Sequence, residues 1–220
     1  MRDLILKMSI SIDGFVGDPD GGLKWVFDND AEATAWTLET VWNASLHIMG
    51  SRTFHEMAAY WPTSTEVFAP PMNQIPKAVF SRQGPAILKA VNTTAALRDA
   101  RANAGTGKST ELQPGGESWA EAYVASGDLA EEVAKLKAQE GKPIIAHGGA
   151  SFARSLVAQG LVDQYDLLVH PIALGKGLPV FSDLAMPRPL KLMSSKAFPG
   201  GAVAQIYRAI ELSRTQRRNR

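Results

Sequence analysis

Cysteine is absent from the 220 residues of this chain, so disulfides, thiolate catalysis and cysteine-based metal sites are excluded. Histidine is scarce. The chain has only four histidines, at positions His47, His55, His147 and His170. None of them forms a ligand-like pair, and we therefore expect no zinc site or other metal centre.

The chain also lacks an excess of charge and a long apolar run. Its formal net charge is +1, which gives no electrostatic reason to expect nucleic acid as a partner. No stretch approaches the roughly 20 apolar residues that cross a bilayer, and the N-terminus enters a strand pattern directly. We therefore expect no membrane association and a cytoplasmic location.

The composition, 45% hydrophobic and 20% charged, suits one globular domain. We expect that domain to cover residues 1–212, with a mobile excursion at about 103–118, where Gly, Ser, Thr and Pro are enriched. The basic tail, 213–220, is expected to be disordered.

Hydrophobic periodicity predicts alternating strands and helices. The clearest strand signal runs from Leu4 to Ile12, where apolar residues alternate with polar ones. Asp128 predicts a helix start, because Glu131 follows three residues later and Gly141 ends the apolar pattern. The order of elements predicts an α/β fold: a mostly parallel central sheet, helices on both faces and a C-terminal antiparallel hairpin.

The most informative motif follows the apolar strand Ile144–Ala146. His147, Gly148, Gly149, Ala150 and Ser151 join that strand to a helix. Glycine allows a ligand to approach the backbone closely, and the N-terminus of a helix attracts anions, phosphate above all. A tight strand-to-helix turn without a ligand is the alternative.

Two further strand ends carry groups that suit phosphate. In one, Gly50, Ser51, Arg52 and Thr53 lead into a helix; in the other, a strand ends at Ser81 and Arg82. A plain helix start and a solvated arginine are the respective alternatives. Because ligands of open α/β sheets bind outside the carboxyl ends of the strands, three such ends together favour a dinucleotide site.

Asp13 follows the first strand, in the sequence Ser11-Ile12-Asp13-Gly14. Its carboxylate could bind the amino or amide groups of a heterocycle or relay a proton. Alternatively, it bonds its own backbone in a turn. By contrast, Gly105–Thr110 resembles the end of a nucleotide-binding P-loop, but Ala102 stands where that motif needs a glycine, so we favour a surface loop.

These motifs, in this order, resemble the dihydrofolate reductase superfamily, and most closely the reductase domain of bacterial riboflavin biosynthesis. The likeness covers roughly residues 3–211. The segments that carry it are Ser11–Gly14, Gly50–Phe54, Phe80–Arg82, Asp128–Val133, His147–Ala150, Gly160–Asp163 and Leu174–Phe181.

The resemblance implies NADPH as cofactor. It implies that Thr53 and Gly148–Ala150 hold the pyrophosphate, and that Arg52 and Arg82 are candidates for the adenosine 2′-phosphate. Ile10, Val16 and Gly17 would line the nicotinamide. On the substrate side it implies Asp13 at the reacting end and the loop of Leu174, Gly175, Lys176 and Gly177.

One departure concerns the substrate. Dihydrofolate reductases carry an acidic residue in the pterin pocket, usually after tryptophan and proline; here Asp28 or Asp30 is available, without the proline. We therefore expect an NADPH-dependent reductase of a small nitrogen heterocycle, with 5-amino-6-(5-phosphoribosylamino)uracil as one candidate substrate. The alternatives are a dihydrofolate or pterin reductase and a non-catalytic nucleotide-binding module. By analogy with the family, we expect a homodimer built on the C-terminal strands.

Overall fold

The computed structural model describes residues 1–27, 30–89 and 111–210. Within these ranges, eight strands form one sheet in the order β4-β3-β2-β5-β1-β6-β8-β7. The strands are β1 (Leu4–Ser11), β2 (Leu46–Gly50), β3 (Lys77–Phe80), β4 (Tyr123–Ala125), β5 (Ile144–Ala146), β6 (Gln164–His170), β7 (Leu190–Ala197) and β8 (Val203–Ala209).

The first six strands in this spatial order, from β4 to β6, are parallel to one another. The hairpin of β7 and β8 adds two strands beside β6, and β8 pairs with β6 in the antiparallel direction. The helices are α1 (Ala31–Trp42), α2 (Ser51–Ala58), α3 (Ala69–Gln74), α4 (Leu129–Ala138) and α5 (Ala150–Ala158). The predicted fold class, a mostly parallel sheet with a C-terminal antiparallel hairpin, is confirmed.

Helices cover both faces of the sheet because the side chains of each strand alternate between two cores. On one face Leu4, Leu6 and Met8 of β1 pack with residues of α4 and α5. On the other face Met49 of β2 and Val79 of β3 pack against α1, α2 and α3. The period-2 pattern of β1 therefore places Lys7, between Leu6 and Met8, on the face covered by α1, α2 and α3.

The structure differs from the sequence prediction at several elements. Strands β4 and β7 and helix α3 are not predicted, and β1 ends at Ser11, which leaves the Ile12 side chain 65% exposed. The predicted excursion is only partly described. Its residues 103–110 lie outside the described ranges, as do the predicted tail 213–220 and the P-loop-like segment.

The described end of that excursion is tied to the domain. Gln113 N–H donates to the Pro62 carbonyl at 2.7 Å, and Trp119, just beyond it, is buried. In the part of the chain that the structure describes, no helix is long and apolar enough to cross a membrane.

Candidate active site

A cleft of ≈ 640 Å³ opens at the carboxyl ends of the parallel strands. Its volume lies within the roughly 300–1,000 Å³ usual for small-molecule and cofactor sites. Eleven of the residues predicted for the site line it: Val16, Gly50, Ser51, Arg52, Thr53, Ser81, Arg82, His147, Gly149, Ala150 and Ser151. The three strand ends that the sequence singled out therefore meet in one place.

Two helices begin in this cleft, and neither has a side-chain cap. Helix α2 starts after Gly50 and helix α5 after Gly149, and among the described residues no side chain caps the first backbone N–H groups of either helix. The first four N–H groups of a helix have no partner within it, and together they form the positive end of the helix dipole. The cleft thus presents two adjacent helix N-termini that suit an anionic ligand.

The glycine turn is joined to α2 by one hydrogen bond. Gly149 N–H donates to Thr53 Oγ1 at 2.7 Å, so the threonine hydroxyl fixes the start of α5 against the start of α2. Gly148 has a φ of +85°, which L side chains rarely adopt. A Cβ atom at Gly149 would lie 2.8 Å from Thr53 Oγ1, so glycine keeps this approach open.

Arginine and aromatic side chains form the remaining walls. Arg52 Nε pairs with Glu56 Oε1 at 3.4 Å, one turn along α2, and its guanidinium also packs close to Gly21. Phe80 and Phe152 pack with ring centroids 5.0 Å apart. Arg82 follows β3 at the same end of the sheet and also lines the cleft.

Asp13 lies just after β1, where three hydrogen bonds hold its carboxylate. It lies outside the cleft lining, and its carboxylate accepts hydrogen bonds from Ser11 Oγ (2.6 Å), Leu174 N–H (3.1 Å) and Gly175 N–H (2.7 Å). The Ser11 hydroxyl, followed by the two N–H groups, lowers the pKa of Asp13 below its usual value. The carboxylate therefore holds the loop of Leu174–Gly177 against the end of β1.

The loop of Leu174, Gly175, Lys176 and Gly177 does not line the cleft itself, and neither do Ile10, Gly17 and Gly148. The loop reaches the cleft through Leu178, whose N–H donates to the Gly17 carbonyl at 2.9 Å while its carbonyl accepts from Val16 N–H at 2.9 Å. Gly177 permits this pairing, because a Cβ there would collide with the Gly17 carbonyl oxygen.

The two acidic candidates for a pterin site can be located only in part. Asp28 lies outside the described residues. Asp30 caps α1, where its Oδ1 accepts from Glu32 N–H (2.9 Å) and Ala33 N–H (3.0 Å), and its Oδ2 accepts from Gly200 N–H. The Asp30 carboxylate is therefore occupied by backbone donors outside the cleft.

Several cleft residues had no signal of function in the sequence. They are Met8, Gly21, Leu23, Glu56, Met57, Gln83, Phe152 and Ser155. Glu56 could have been found, because it follows Arg52 by four residues on a predicted helix and so faces the same side. Met8 could not have been found from the sequence, because the alternation of β1 does not say which elements cover each face of the sheet.

A row of buried and half-buried basic groups, which includes the cleft residue His147, lies on the face of the sheet that carries Lys7. The rings of His47 and His147 pack edge to face, 4.5 Å apart. Burial lowers the pKa of His47 to about 3 and that of Lys7 to about 8, the latter opposed by the charge of Asp166. Burial, followed by the neighbouring His47, Lys7 and Lys77, lowers the pKa of His147 well below its usual value.

The fold is that of the dihydrofolate reductase-like α/β class. Residues 2–204 match the RibD C-terminal domain model, and the chain belongs to that family. It is 26% identical over 209 residues to the uncharacterised protein YyaP of Bacillus subtilis (strain 168), with 94% of each chain covered.

Two solved structures are similar in fold. A Shewanella sp. PV-4 protein provisionally named for riboflavin biosynthesis is 17% identical with a TM-score of 0.63, over 96% of this chain and 100% of that one. The diaminohydroxyphosphoribosylaminopyrimidine deaminase/5-amino-6-(5-phosphoribosylamino)uracil reductase of Thermotoga maritima is also 17% identical, with a TM-score of 0.63. That match covers 95% of this chain but 57% of the Thermotoga chain.

Proposed function

We propose that the protein is an NADPH-dependent reductase of a small nitrogen heterocycle, with 5-amino-6-(5-phosphoribosylamino)uracil as one candidate substrate. The observation that carries the proposal is the meeting of two uncapped helix N-termini in one cleft, beside two arginines. Membership of the RibD C-terminal domain family and the reductase named among its fold relatives also support it.

The residues present fit a dinucleotide that carries several phosphates. The N-termini of α2 and α5, tied by the Thr53 hydroxyl, suit the pyrophosphate. Arg52 and Arg82 offer planar guanidinium groups, which bind phosphate through two hydrogen bonds. Arg52 lines the cleft beside Glu56, and its side chain is 62% exposed, so the guanidinium is accessible to a ligand.

The bound cofactor would supply the hydride, and the protein would orient it and exclude water. Val16 and Leu178, paired through backbone hydrogen bonds, would close the cleft on the side of the first strand. Asp13, whose carboxylate accepts three hydrogen bonds, would keep Leu178 in place by holding the preceding loop, Leu174–Gly177. Its assistance in proton transfer stays a prediction.

Cofactor titration tests the proposal. We expect NADPH to bind the purified protein, measured by quenching of tryptophan fluorescence, and Arg82→Ala to weaken NADPH by about tenfold while NADH changes by less than about twofold. Arg208→Ala is the matched control, since this arginine lies on the C-terminal hairpin, outside the cleft lining, and pairs with Asp3. Failure of both nucleotides to bind at millimolar concentration would contradict the proposal.

We also propose that the protein forms a homodimer through the C-terminal strands, in accord with the sequence expectation. Strand β7 is the last strand of the sheet, and Leu192 and Met193 on it are each 51% exposed. Exposed apolar edge strands invite pairing with another chain. Sedimentation at micromolar concentration should give twice the chain mass, and Leu192→Asp should give a monomer; a wild-type monomer would contradict this.

A further inference from the structure

A second cavity lies between α1 and the sheet, near the amino ends of β1 and β6 and away from the cleft. Its volume is ≈ 520 Å³, which is within the roughly 300–1,000 Å³ usual for small-molecule sites. Its walls come mainly from β1, β6, β8 and the second half of α1, and they share no residue with the cleft. The domain therefore has room for a ligand that the proposed cofactor would not displace.

The strand register brings polar and apolar side chains together on one wall of this cavity. Gln164 of β6 lies opposite Ile5 of β1, and Asp166 of β6 lies opposite Ile206 of β8. Residues that lie opposite each other on neighbouring strands share a face of the sheet, and all four line the cavity. A carboxylate and a carboxamide are therefore set between two isoleucines.

Asp166 contributes a buried carboxylate with one unpaired oxygen. The residue is 3% exposed, and its Oδ1 accepts from Gln164 Nε2 at 2.9 Å. Its Oδ2 has no hydrogen-bond partner among the described residues, yet it is not one of the polar atoms that are sealed from solvent. Because Asp166 is otherwise buried and lines the cavity, the cavity is where Oδ2 can meet a donor. Such a donor would offset the cost of burying a carboxylate.

Two tryptophans of α1 form the opposite wall. Trp36 packs on Phe198 with ring centroids 6.2 Å apart, and Trp42 is 40% exposed. An indole ring accepts the apolar part of a ligand and attracts a cation to its face. Glu39, three residues from each tryptophan, adds a second carboxylate to the lining, and Lys142 adds one positive charge. Among the described residues the cavity lining is therefore negative overall.

The cleft and the second cavity thus differ in the sign of their charge. The cleft has two arginines and one glutamate, whereas the second cavity has two carboxylates and one lysine. We propose that the second cavity binds a small organic cation, in which an ammonium or guanidinium group is attached to an aromatic or other apolar body. The charged group donates to Asp166 Oδ2, and the body packs against Trp36 and Trp42. This site is independent of the proposed reductase activity.

Three probes that carry a phenyl ring on a short chain, and differ in charge, test the proposal. Phenethylamine is a cation at neutral pH, 2-phenylethanol is neutral and 3-phenylpropionate is an anion. Each would be titrated into the purified protein by isothermal titration calorimetry, with and without NADPH. We expect phenethylamine to bind at least about fivefold more tightly than 2-phenylethanol, and 3-phenylpropionate to bind more weakly than either.

Variants separate recognition of the charge from recognition of the apolar body. Asp166→Asn keeps the shape of the side chain and should weaken phenethylamine by about tenfold, while 2-phenylethanol stays within about twofold of wild type. Trp42→Leu should weaken both probes by a similar factor, about threefold. Glu132→Gln is the matched control: Glu132 is a carboxylate 6% exposed that bonds Tyr123 and Lys135 outside this cavity, and phenethylamine binding should not change.

The tryptophans give a readout that needs no variant. In wild-type protein, phenethylamine should shift the indole ¹H–¹⁵N resonances of Trp36 and Trp42 but not that of Trp119, which packs on Phe54 of α2. This measurement decides the question if Asp166→Asn does not fold. The proposal is overturned if the Trp36 and Trp42 resonances do not move, if Asp166→Asn binds phenethylamine normally, or if 2-phenylethanol binds as tightly as phenethylamine.

NADPH separates this site from the cleft. Phenethylamine should bind equally well with and without the cofactor, because the two sites share no residue. Competition between NADPH and phenethylamine would place the amine in the cleft and overturn the proposal. Failure of NADPH to bind contradicts only the proposed function.

Discussion

Two pairs of helices differ at their N-termini. Helices α1 and α4 are capped by Asp30 and Asp128, each of which accepts hydrogen bonds from two backbone N–H groups. Helices α2 and α5 begin at Gly50 and Gly149, without a side-chain cap. The capped pair begins outside the cleft, and the uncapped pair begins inside it.

The difference in capping indicates where the fold leaves backbone N–H groups available for a ligand. A cap usually stabilises a helix by about 0.5–2 kcal/mol, so its absence at two neighbouring helices has a cost in stability. The same absence leaves N–H groups and dipole ends directed at one volume, where an anion can replace the cap. Helix α3 also lacks a side-chain cap but begins outside the cleft. The N-termini of α2 and α5 are therefore the part of the structure that the proposed cofactor would complete.

The largest expected effect comes from giving α5 its own negative charge. Ser151→Asp places a carboxylate at the second position of α5, which should weaken NADPH binding by about a hundredfold through repulsion of the phosphates. The same change should leave the protein as stable as wild type or up to about 1 kcal/mol more stable, because the charge favours the helix dipole.

The control for Ser151→Asp is Ala130→Asp, at the same position of the capped helix α4. It should leave NADPH affinity within about twofold of wild type. Fluorescence titration and chemical denaturation measure the two quantities. Equal NADPH affinities for the two variants would remove the distinction between capped and uncapped helices.

Acid should destabilise the protein through the histidines beside the uncapped helices. His47 and His147 are neutral when folded and have an ordinary pKa of about 6.5 when unfolded, so below that pH the unfolded chain takes up protons that the folded chain excludes. Their contribution is complete well above pH 6.5 and falls with decreasing pH, by roughly 1–2 kcal/mol for His47 between pH 6.5 and 5 and in the same direction for His147.

Denaturation at several pH values measures this loss. His47→Leu should reduce the difference in free energy of unfolding between pH 6.5 and 5, since one protonating group is removed from the unfolded chain. A difference of wild-type size in this variant would show that His47 is not held neutral in the folded protein.

The hydrogen bond between the two uncapped helices should have a smaller effect. Thr53→Val removes the hydroxyl that accepts from Gly149 N–H, and the glycine turn loses its tie to α2. NADPH affinity should fall by about tenfold, and Thr53→Ser should restore most of it. If Thr53→Val binds NADPH like wild type and Thr53→Ser binds it weakly, the methyl packing and not the hydroxyl matters.

Removal of a cap should have the smallest effect on function. Asp128→Ala should lower the free energy of unfolding by about 1 kcal/mol, because two N–H groups of α4 lose their acceptor. Chemical denaturation gives this value, and NADPH titration should give no change. A fall in NADPH affinity would link α4 to the cleft and break the comparison.

The fold could be predicted from the sequence wherever burial imposes a period. The alternation along β1 and the capping pattern of α4, both visible in the sequence, mark real elements. Strand β7 gave no such signal, since seven of its eight residues are exposed and its side chains follow no alternation of polarity. Helix α3 contains Pro70 and Pro71 in six residues, which conceals it.

The site could be predicted where glycine or phosphate-binding groups end a strand. Glycine allows close approach to the backbone and a guanidinium or hydroxyl binds phosphate, so these residue types indicate a function by themselves. The walls of the cleft could not be predicted, because they come from alternating strand faces whose neighbours the sequence does not specify. The alternation of β1 predicts Met8 only as a core residue, yet Met8 lines the cleft, as does His147, which the glycine motif predicts there. The sequence suggests a chemical role for Asp13, but its carboxylate oxygens accept hydrogen bonds from Ser11 and from a loop that is distant in the sequence.

The central claim is that the uncapped N-termini of α2 and α5 hold the cofactor's pyrophosphate. A crystal structure of the protein soaked with NADPH tests it most directly. The account predicts phosphate oxygens within about 3 Å of the first backbone N–H groups of α5 and of the Thr53 region of α2, with a guanidinium of Arg52 or Arg82 on the 2′-phosphate. NADPH bound elsewhere, or with its pyrophosphate away from both helix N-termini, would contradict it.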